Sequence, residues 1–320
     1  MKILIFGSGG VGGYFGGRLA ASGEDVTFLA RGEHLQALRQ DGLYIQSALG
    51  DLHLRSVQAT DDPASVGPVD LILVGVKLWD TEAAAKAIAP IVGPNTAVVS
   101  FQNGVDAVDV FTRALGRERV MGGIAHIAAV IERSGVIRHN GTMQRLTFGE
   151  LDGSKSARTT ALLAACRRAG IDVVISQDIQ RVIWEKFVFI VGLSAMTTLT
   201  RLPIGAVRTD PDTRAMLLDV MQEAAAVGRA KGVNLPPEAA DGQLNFMDGL
   251  PYDMIASMLG DLNRGRRLEL PWLSGAVTRL GEPLGVATPV NKFVYAALKL
   301  HADGRRADAV SQPAQVSARP

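Results

Sequence analysis

Uninterrupted apolar runs alternate with amphipathic stretches through the first 175 residues of the chain. A strand inside a parallel sheet is covered on both faces, so it consists of consecutive apolar residues, and amphipathic stretches between such runs indicate crossover helices. The runs that predict strands occupy residues 2–6, 26–30, 69–76, 97–100 and 171–175. This alternation predicts an α/β fold with a doubly wound, Rossmann-type sheet.

Two segments depart from the alternation. Residues 43–46 and 52–57 flank Gly50 and Asp51, a pairing that is typical of a β-hairpin. Strand-forming runs at 135–138 and 145–148 predict that antiparallel strands complete the sheet.

Beyond residue 177 the period becomes helical, and we predict helices at 178–200, 212–232, 251–267 and 273–280, with a last one opened by Pro289. A second, all-helical domain is therefore expected.

A glycine-rich turn follows the first predicted strand without a spacer. Its residues are Gly7, Ser8, Gly9, Gly10, Val11 and Gly12, and a predicted helix runs on from there to residue 22. In a G-x-G-x-x-G turn the first glycine permits the tight bend, the second lets a pyrophosphate approach, and the third lets the helix pack on the strand. Unpaired N–H groups at the helix N-terminus then bind the phosphates. The motif predicts a dinucleotide site.

The end of the second predicted strand indicates which dinucleotide is bound. Enzymes that prefer NAD usually carry Asp or Glu there, to bind the ribose 2′-hydroxyl. This chain has Ala30 followed by Arg31, and a guanidinium is suited to a 2′-phosphate. We therefore predict NADP(H). The alternative is that Arg31 is an ordinary surface residue, with Glu33 nearby as a carboxylate that points toward NAD.

Polar residues also follow later strands and border an apolar helix. Lys77 comes after the run 69–76, and Asn103 comes after the run 97–100, where ligands of open α/β sheets bind. Lys186 precedes the apolar run 188–195, and Ile190 and Ser194 follow it by four and eight residues, on one helical face.

Ser257 and Glu269 lie twelve residues apart. On a straight helix that spacing is about 18 Å of rise, so the two side chains would serve different ends of a long ligand, unless Gly265 interrupts the helix.

These motifs, in this order, resemble those of the ketopantoate reductase (2-dehydropantoate 2-reductase) family over nearly the whole chain. The matching segments are Gly7 to Gly12, Arg31, Val76 to Trp79, Gln102 to Gly104, Trp184 to Lys186, and Ser257-Met258 with Glu269. The resemblance implies NADPH-dependent reduction of a 2-oxo acid to a 2-hydroxy acid, as in pantothenate biosynthesis. It also implies that Lys186 donates a proton, that Asn103 contacts cofactor and substrate, that Ser257 contacts substrate, and that Glu269 lies near the cofactor.

Three positions depart from the family pattern. Members that reduce ketopantoate typically carry asparagine four, eight and eighteen residues after the catalytic lysine, where this chain has Ile190, Ser194 and Ile204. Each lost hydrogen bond to a hydroxylated substrate would cost about 0.5 to 1.5 kcal/mol. The substitutions favour a less polar 2-oxo acid as the alternative substrate. A second alternative, also suggested by the substitutions, is that the protein is a regulator that binds NADP(H) without turnover. A third alternative is a 3-hydroxy acid or polyol-phosphate dehydrogenase.

Composition narrows the classes of partner. With 47% hydrophobic and 20% charged residues the chain is typical of soluble globular proteins, and a net charge of +1 offers no broad field to nucleic acid or membranes. No apolar run reaches the length of a membrane span or of a signal segment. The single cysteine, Cys166, is predicted to be buried and fits a reducing cytoplasm. No spacing of ligands predicts a metal site.

Several candidate residues also have simpler interpretations. His126 is predicted to pack rather than to act as a base, because the lysine already supplies the acid. Ser257 would then be a helix cap, Glu269 a surface carboxylate, and Arg264, Arg266 and Arg267 a solvated basic face.

We expect an NADP(H)-binding domain at residues 1–177, a helical substrate and catalytic domain at 178–304, and a flexible tail at 305–320. The predicted cofactor residues are Gly7, Ser8, Gly9, Gly10, Val11, Gly12, Arg31, Lys77, Asn103 and Glu269, and the predicted substrate residues are Asn103, Lys186, Ile190, Ser194 and Ser257. A homodimer is left open.

Overall fold

The computed structural model describes residues 1–304, and the predicted tail lies outside the described residues. The chain divides into two compact units, Met1–Lys186 and a second that begins at Phe187. The domain boundary after residue 177 stays a prediction.

The first unit is built on one sheet. Its strands are β1 (Lys2–Phe6), β2 (Asp25–Leu29), β3 (Leu43–Ser47), β4 (Leu52–Leu54), β5 (Gln58–Thr60), β6 (Leu71–Val74), β7 (Ala97–Ser100), β8 (Val120–Arg133), β9 (Val136–Glu150) and β10 (Asp172–Ile175). Its helices are α1 (Gly10–Ala21), α2 (Gly32–Gln40), α3 (Thr81–Ile88), α4 (Ala107–Leu115), α5 (Ala157–Arg168) and the start of α6 (Ile179–Thr200).

The order of the strands in the sheet differs from their order in the sequence. It runs β4-β3-β9-β8-β7-β6-β1-β2-β5, with β10 paired to β9. Strands β8, β7, β6, β1 and β2 are parallel neighbours, so their carboxyl ends share one edge of the sheet. The β8–β9 and β3–β4 pairs are antiparallel, which confirms the predicted antiparallel completion and the predicted hairpin. The Rossmann-type fold of this unit is thus the predicted one.

The parallel strands are covered on both faces, which explains their uninterrupted apolar runs. Along β1, Ile3 and Ile5 enter one core and Leu4 and Phe6 enter the other. Successive side chains of a strand point to opposite faces, so a strand between two cores needs an apolar residue at every position.

Cys166 is fully buried, and burial raises the pKa of its thiol to about 12.

Glycines let α1 lie directly on this sheet. A Cβ added at Gly16 would come within 2.6 Å of Ile5 Cγ1, and one added at Gly17 within 2.6 Å of Ile45 Cδ1. Side chains at these positions would lift the helix from the strands. The close packing fixes where the N-terminus of α1 stands relative to the end of β1.

The second unit is helical, as predicted. Its helices after α6 are α7 (Ile204–Thr209), α8 (Pro211–Ala230), α9 (Ala239–Asp248), α10 (Ser257–Asn263), α11 (Ser274–Gly281) and α12 (Pro289–Leu298). Helix α8 carries Glu223, whose carboxylate accepts hydrogen bonds from the Val290 and Asn291 amides at 2.8 and 2.9 Å. This contact satisfies the N-terminus of α12.

One helix prediction in this unit was wrong in its extent, and two helices were not predicted. The helix predicted at 251–267 is only α10, because residues 251–256 form a turn and extended chain, and Gly265 has φ +65°. Helices α7 and α9 were not predicted. In α9 the Asp241-Gly242 pair is a turn signal, and Phe246 on the same helix is exposed, so the apolar period there is weak.

The expectation that no run reaches membrane-span length needs correction. Within residues 1–304, α6 is the one helix long and apolar enough to cross a membrane by length and composition. In the structure 67% of its most apolar stretch is buried. The central helix of a soluble protein has the same character, so this is weak evidence for a membrane span.

Candidate cofactor and catalytic site

The glycine-rich turn joins β1 to α1. Gly7 has φ +101°, a left-handed conformation that side chains disfavour, and a Cβ there would stand 2.6 Å from Val76 Cγ1. The first intrahelical bond of α1 runs from the Gly13 N–H to the Gly9 carbonyl, so the amides before Gly13 have no partner in the helix. No acidic side chain lies in the first turn. This helix end is suited to an anion.

The other residues of the turn contribute in different ways. A Cβ at Gly9 would meet nothing within 4 Å, so this side of the turn is open to a ligand. A Cβ at Gly12 would overlap the Gly7 carbonyl, and one at Gly10 would overlap the Ala129 carbonyl on β8. Ser8 is buried, and its amide and hydroxyl both donate to the Leu29 carbonyl, at 3.1 and 2.9 Å. Thus Gly9 keeps space open, and the others hold the turn in place.

Arg31 stands just beyond the end of β2, as the N-cap of α2. Its side chain is exposed and forms no ion pair or hydrogen bond with any residue in 1–304. Ala30, at the strand end, is buried, and no carboxylate occupies that place. Glu33 is exposed in the first turn of α2. The guanidinium is therefore available to an anionic ligand at this end of the sheet.

Gln102 joins the ends of β6 and β7. Its amide nitrogen donates to the Val76 carbonyl at 3.0 Å and to the Thr81 hydroxyl at 2.9 Å, and its amide oxygen accepts from the Ser100 hydroxyl at 2.9 Å. The side chain is 8% exposed. Sequence reasoning did not assign it a role, although it lies within the Gln-Asn-Gly motif.

Lys77 and Asn103 flank this amide network. Lys77 is half-buried, with its ammonium 5.7 Å from the ring centroid of Trp79. Asn103 is half-buried too, and Gly104 follows it with φ +81°. Because Gln102 ties the two strand ends together, Lys77 and Asn103 are held on neighbouring parts of the same edge.

Lys186 extends from α6 to the middle of β8. Its ammonium donates a hydrogen bond of 2.7 Å to the Ala125 carbonyl. Strands β7 and β8 pair with Val99 opposite Met121. β7 ends at Ser100, three residues before Asn103. The structure thus holds the lysine on β8, the strand that pairs with β7, and β7 leads into Asn103.

His126 follows Ala125 and is half-buried. Burial lowers the pKa of its imidazole, and the positive charges of Lys186 and Arg145 lower it further, to about 4. The imidazole is therefore uncharged at neutral pH.

The predicted substrate positions on α6 belong to the second unit. Ile190 is half-buried, and Ser194 is 1% exposed with a hydroxyl that has no hydrogen-bond partner within residues 1–304. Thr198, four residues on, is equally buried and equally unpartnered there. Ile204, at the start of α7, is fully buried. At the three positions where the family pattern has amides, this unit therefore has two apolar side chains and the hydroxyl of Ser194, and Thr198 adds a second hydroxyl without a partner in residues 1–304 nearby in the sequence.

Ser257 and Glu269 are also in the second unit. Ser257 is exposed at the first position of α10, and Ala256 is the N-cap, so the helix-cap interpretation of Ser257 is wrong. Glu269 is 7% exposed, so it is not a surface carboxylate. Gly265 does interrupt the helix between them, as one alternative proposed. The arginines 264, 266 and 267 are exposed, and Arg267 lies over the Trp272 ring at 5.6 Å.

The first unit brings its candidate residues to one edge in a definite order. From β8 to β2 they are Lys186 on Ala125, Asn103, Lys77, the turn that begins at Gly7, and Arg31. Four strand spacings of about 4.8 Å separate β8 from β2, or about 19 Å in all. A row of this length is suited to an extended dinucleotide. No group of three metal-ligating side chains occurs in residues 1–304.

Comparison with known proteins agrees with this geometry. The sequence model described as Ketopantoate reductase PanE/ApbA matches residues 3–153, and that of its C-terminal domain matches residues 178–302. The chain is 31% identical over 301 residues to the uncharacterized oxidoreductase YkpB of Bacillus subtilis (strain 168), covering 94% of this chain and 99% of the relative.

Two further relatives point the same way. The chain is 32% identical over 320 residues to the 2-dehydropantoate 2-reductase of Mesorhizobium japonicum, covering 93% of this chain and 97% of that protein. The crystal structure of a PanE/ApbA family ketopantoate reductase from Ralstonia eutropha JMP134 matches with a TM-score of 0.86 at 32% identity, over 94% of this chain and 98% of the other. The chain therefore belongs to the ketopantoate reductase PanE/ApbA family and is an oxidoreductase of the CH–OH class that uses a nicotinamide cofactor.

Proposed function

We propose that this protein uses NADPH to reduce 2-dehydropantoate (ketopantoate) to pantoate in the cytoplasm. The observation that carries the proposal is the ammonium of Lys186, held by the Ala125 carbonyl on β8, in the same sheet whose strand β1 leads into the glycine-rich turn. We assign cofactor binding to residues 1–177 and substrate binding to residues 178–304, together with Asn103 and with Glu269 on the cofactor. Neither a nucleic acid nor a membrane is a partner in this proposal.

Each proposed cofactor or catalytic residue of the first unit has a physical role. The unpaired amides at the start of α1 bind the pyrophosphate, and Arg31 binds the 2′-phosphate as a charge-assisted donor. The nicotinamide, when bound, supplies the hydride. Lys186 donates a proton to the oxygen of the reacting carbonyl and stabilises the negative charge that develops there. Its hydrogen bond to Ala125 orients the ammonium before the substrate arrives.

The test is NADPH consumption by the full chain with a panel of 2-oxo acids that includes 2-dehydropantoate. Turnover of 2-dehydropantoate above the other acids supports the proposal. NADPH binding without turnover of any acid would instead support a regulator, and oxidation of 3-hydroxy acids or polyol phosphates with NADP⁺ would place the enzyme in another class. Either of these results would contradict the proposal.

A second candidate substrate is a less polar, unhydroxylated branched 2-oxo acid. It is favoured by Ile190 and by the fully buried Ile204, which cannot hydrogen bond to a substrate hydroxyl. Each missing bond costs about 0.5 to 1.5 kcal/mol, or roughly two- to ten-fold in catalytic efficiency.

The double change Ile190→Asn with Ser194→Asn discriminates between the two candidates. It should raise kcat/KM for 2-dehydropantoate relative to a branched 2-oxo acid if the wild type prefers the less polar acid. Leu202→Asn, at a half-exposed position outside these sites, is the control for adding an amide to this unit. A wild type that already prefers 2-dehydropantoate, and loses that preference in the double variant, would refute the less polar candidate.

A further inference from the structure

His34 lies in the first turn of α2 and connects three parts of the first unit. Its Nε2 is 2.9 Å from the Ser8 carbonyl, inside the glycine-rich turn. Its Nδ1 accepts a hydrogen bond of 3.1 Å from the Gly135 amide, in the two-residue turn between β8 and β9. The imidazole therefore bridges a cofactor turn and a hairpin turn that are more than a hundred residues apart in sequence.

These two contacts determine the state of the ring. A backbone N–H can only donate, so Nδ1 must be unprotonated, and Nε2 must carry the proton that it donates to the Ser8 carbonyl. Burial lowers the pKa of the imidazole, which agrees with a neutral ring. A neutral histidine in this tautomer satisfies both neighbours at once.

The position of His34 in α2 links it to Arg31. Arg31 is the N-cap of that helix, and its carbonyl accepts the first bond of the helix, from the Leu35 amide at 3.3 Å. His34 is three residues after Arg31, so fixing the imidazole fixes the turn of backbone from which the guanidinium projects. At its other end the same ring holds Ser8, which precedes the open position at Gly9.

We propose that His34 is a positioning residue that sets the distance between the 2′-phosphate position at Arg31 and the pyrophosphate position at the glycine-rich turn. This inference rests on the proposed binding of NADPH to those two places. It predicts that His34 matters most for a ligand that occupies both at once, and least for a ligand that occupies only one.

The experiment measures Kd for NADPH, NADH and 2′-AMP with the full chain, for wild type, His34→Ala and His34→Gln. His53→Ala, an exposed histidine on β4, is the matched control. Loss of both hydrogen bonds should weaken NADPH binding about ten-fold, NADH binding less, and 2′-AMP binding not at all. The preference for NADPH over NADH therefore falls. His34→Gln, which retains a donor toward Ser8, should recover part of that preference.

A double-mutant cycle with Arg31→Ala separates coupling from general support of the turn. In the Arg31→Ala background, His34→Ala should weaken NADPH and NADH equally, because the 2′-phosphate no longer has its partner. An equal loss for both cofactors while Arg31 is present, or no loss, would overturn the proposal. If His34→Ala does not fold, as judged by circular dichroism, the same comparison of cofactors is made with His34→Gln. A wild type that binds neither cofactor refutes the proposed function itself, which is a distinct result.

Discussion

Removing the Lys186 ammonium tests the proposed chemistry most directly. In Lys186→Ala the helix keeps a good helix-forming residue, and the side chain loses its 2.7 Å hydrogen bond to the Ala125 carbonyl. We expect kcat to fall while binding of NADPH is retained, because the proposed cofactor contacts are with α1 and Arg31 and not with this lysine.

The two effects of the substitution differ in size. General acid catalysis commonly contributes at least a hundred-fold, which corresponds to about 2.7 kcal/mol in the activation free energy. The lost hydrogen bond to a charged group is worth about 1.5 to 3 kcal/mol in the folded state, but the ammonium is only half-buried, and truncation relieves its desolvation. A net loss of about 1 kcal/mol would lower Tm by only about 2 to 4 °C in a chain of this size.

The assay is steady-state NADPH oxidation with a saturating 2-oxo acid, together with a fluorescence titration of NADPH and a thermal melt. Lys155→Ala, at an exposed lysine before α5, is the control and should behave as the wild type. A Lys186→Ala enzyme that keeps kcat within about five-fold of the wild type would remove the lysine from the proton transfer, since general acids contribute more than that. Parallel loss of NADPH binding would show that the lysine serves the cofactor or the fold instead.

Three further outcomes are expected. Gly10→Ala should lower Tm because its Cβ would overlap the Ala129 carbonyl of β8. Gly9→Ala should keep the Tm of the wild type and bind NADPH weakly, because its Cβ would enter the open space of the turn. Equal Tm values for the two variants would contradict these roles of the glycines. Arg31→Ala should raise Kd for NADPH about ten- to a hundred-fold and leave NADH nearly unchanged; equal losses would make the residue structural. Burial acts to raise the pKa of Glu150, but hydrogen bonds from Arg158 and a serine hydroxyl outweigh it and hold that pKa below 4.5. Its contribution to the free energy of unfolding is therefore present above pH 4.5 and is lost as the pH falls further, so the deficit of Glu150→Gln in urea melts should shrink in acid; a constant deficit would refute this.

Local sequence patterns were sufficient to predict the strands that are buried on both faces and the glycine-rich turn. The runs at β1, β6 and β7 lie between two cores, so nearly all their residues are apolar, and each strand can be recognised without knowing its neighbours. The G-x-G-x-x-G turn is similarly local, because the backbone conformation of Gly7 depends on its own missing side chain.

Helix predictions failed where tertiary packing, and not the apolar period of the segment, decides whether a helix forms. The segment 251–267 is apolar enough to suggest one helix, but residues 251–256 are turn and extended chain and Gly265 is left-handed, so α10 has only seven residues. Helix α9 forms despite its Asp-Gly pair because α8 packs against it, which no local pattern could indicate.

The sequence by itself therefore determined the fold class, the dinucleotide turn, the polar strand ends and the presence of a lysine beside an apolar helix, since each depends on neighbours within a few residues. Only the tertiary structure decided that Lys186 meets the Ala125 carbonyl, that Gln102 ties two strand ends together, and that His34 bridges Ser8 and Gly135. Such contacts join residues between 26 and 101 positions apart, and their geometry arises from strand order and register, which side-chain periodicity does not encode.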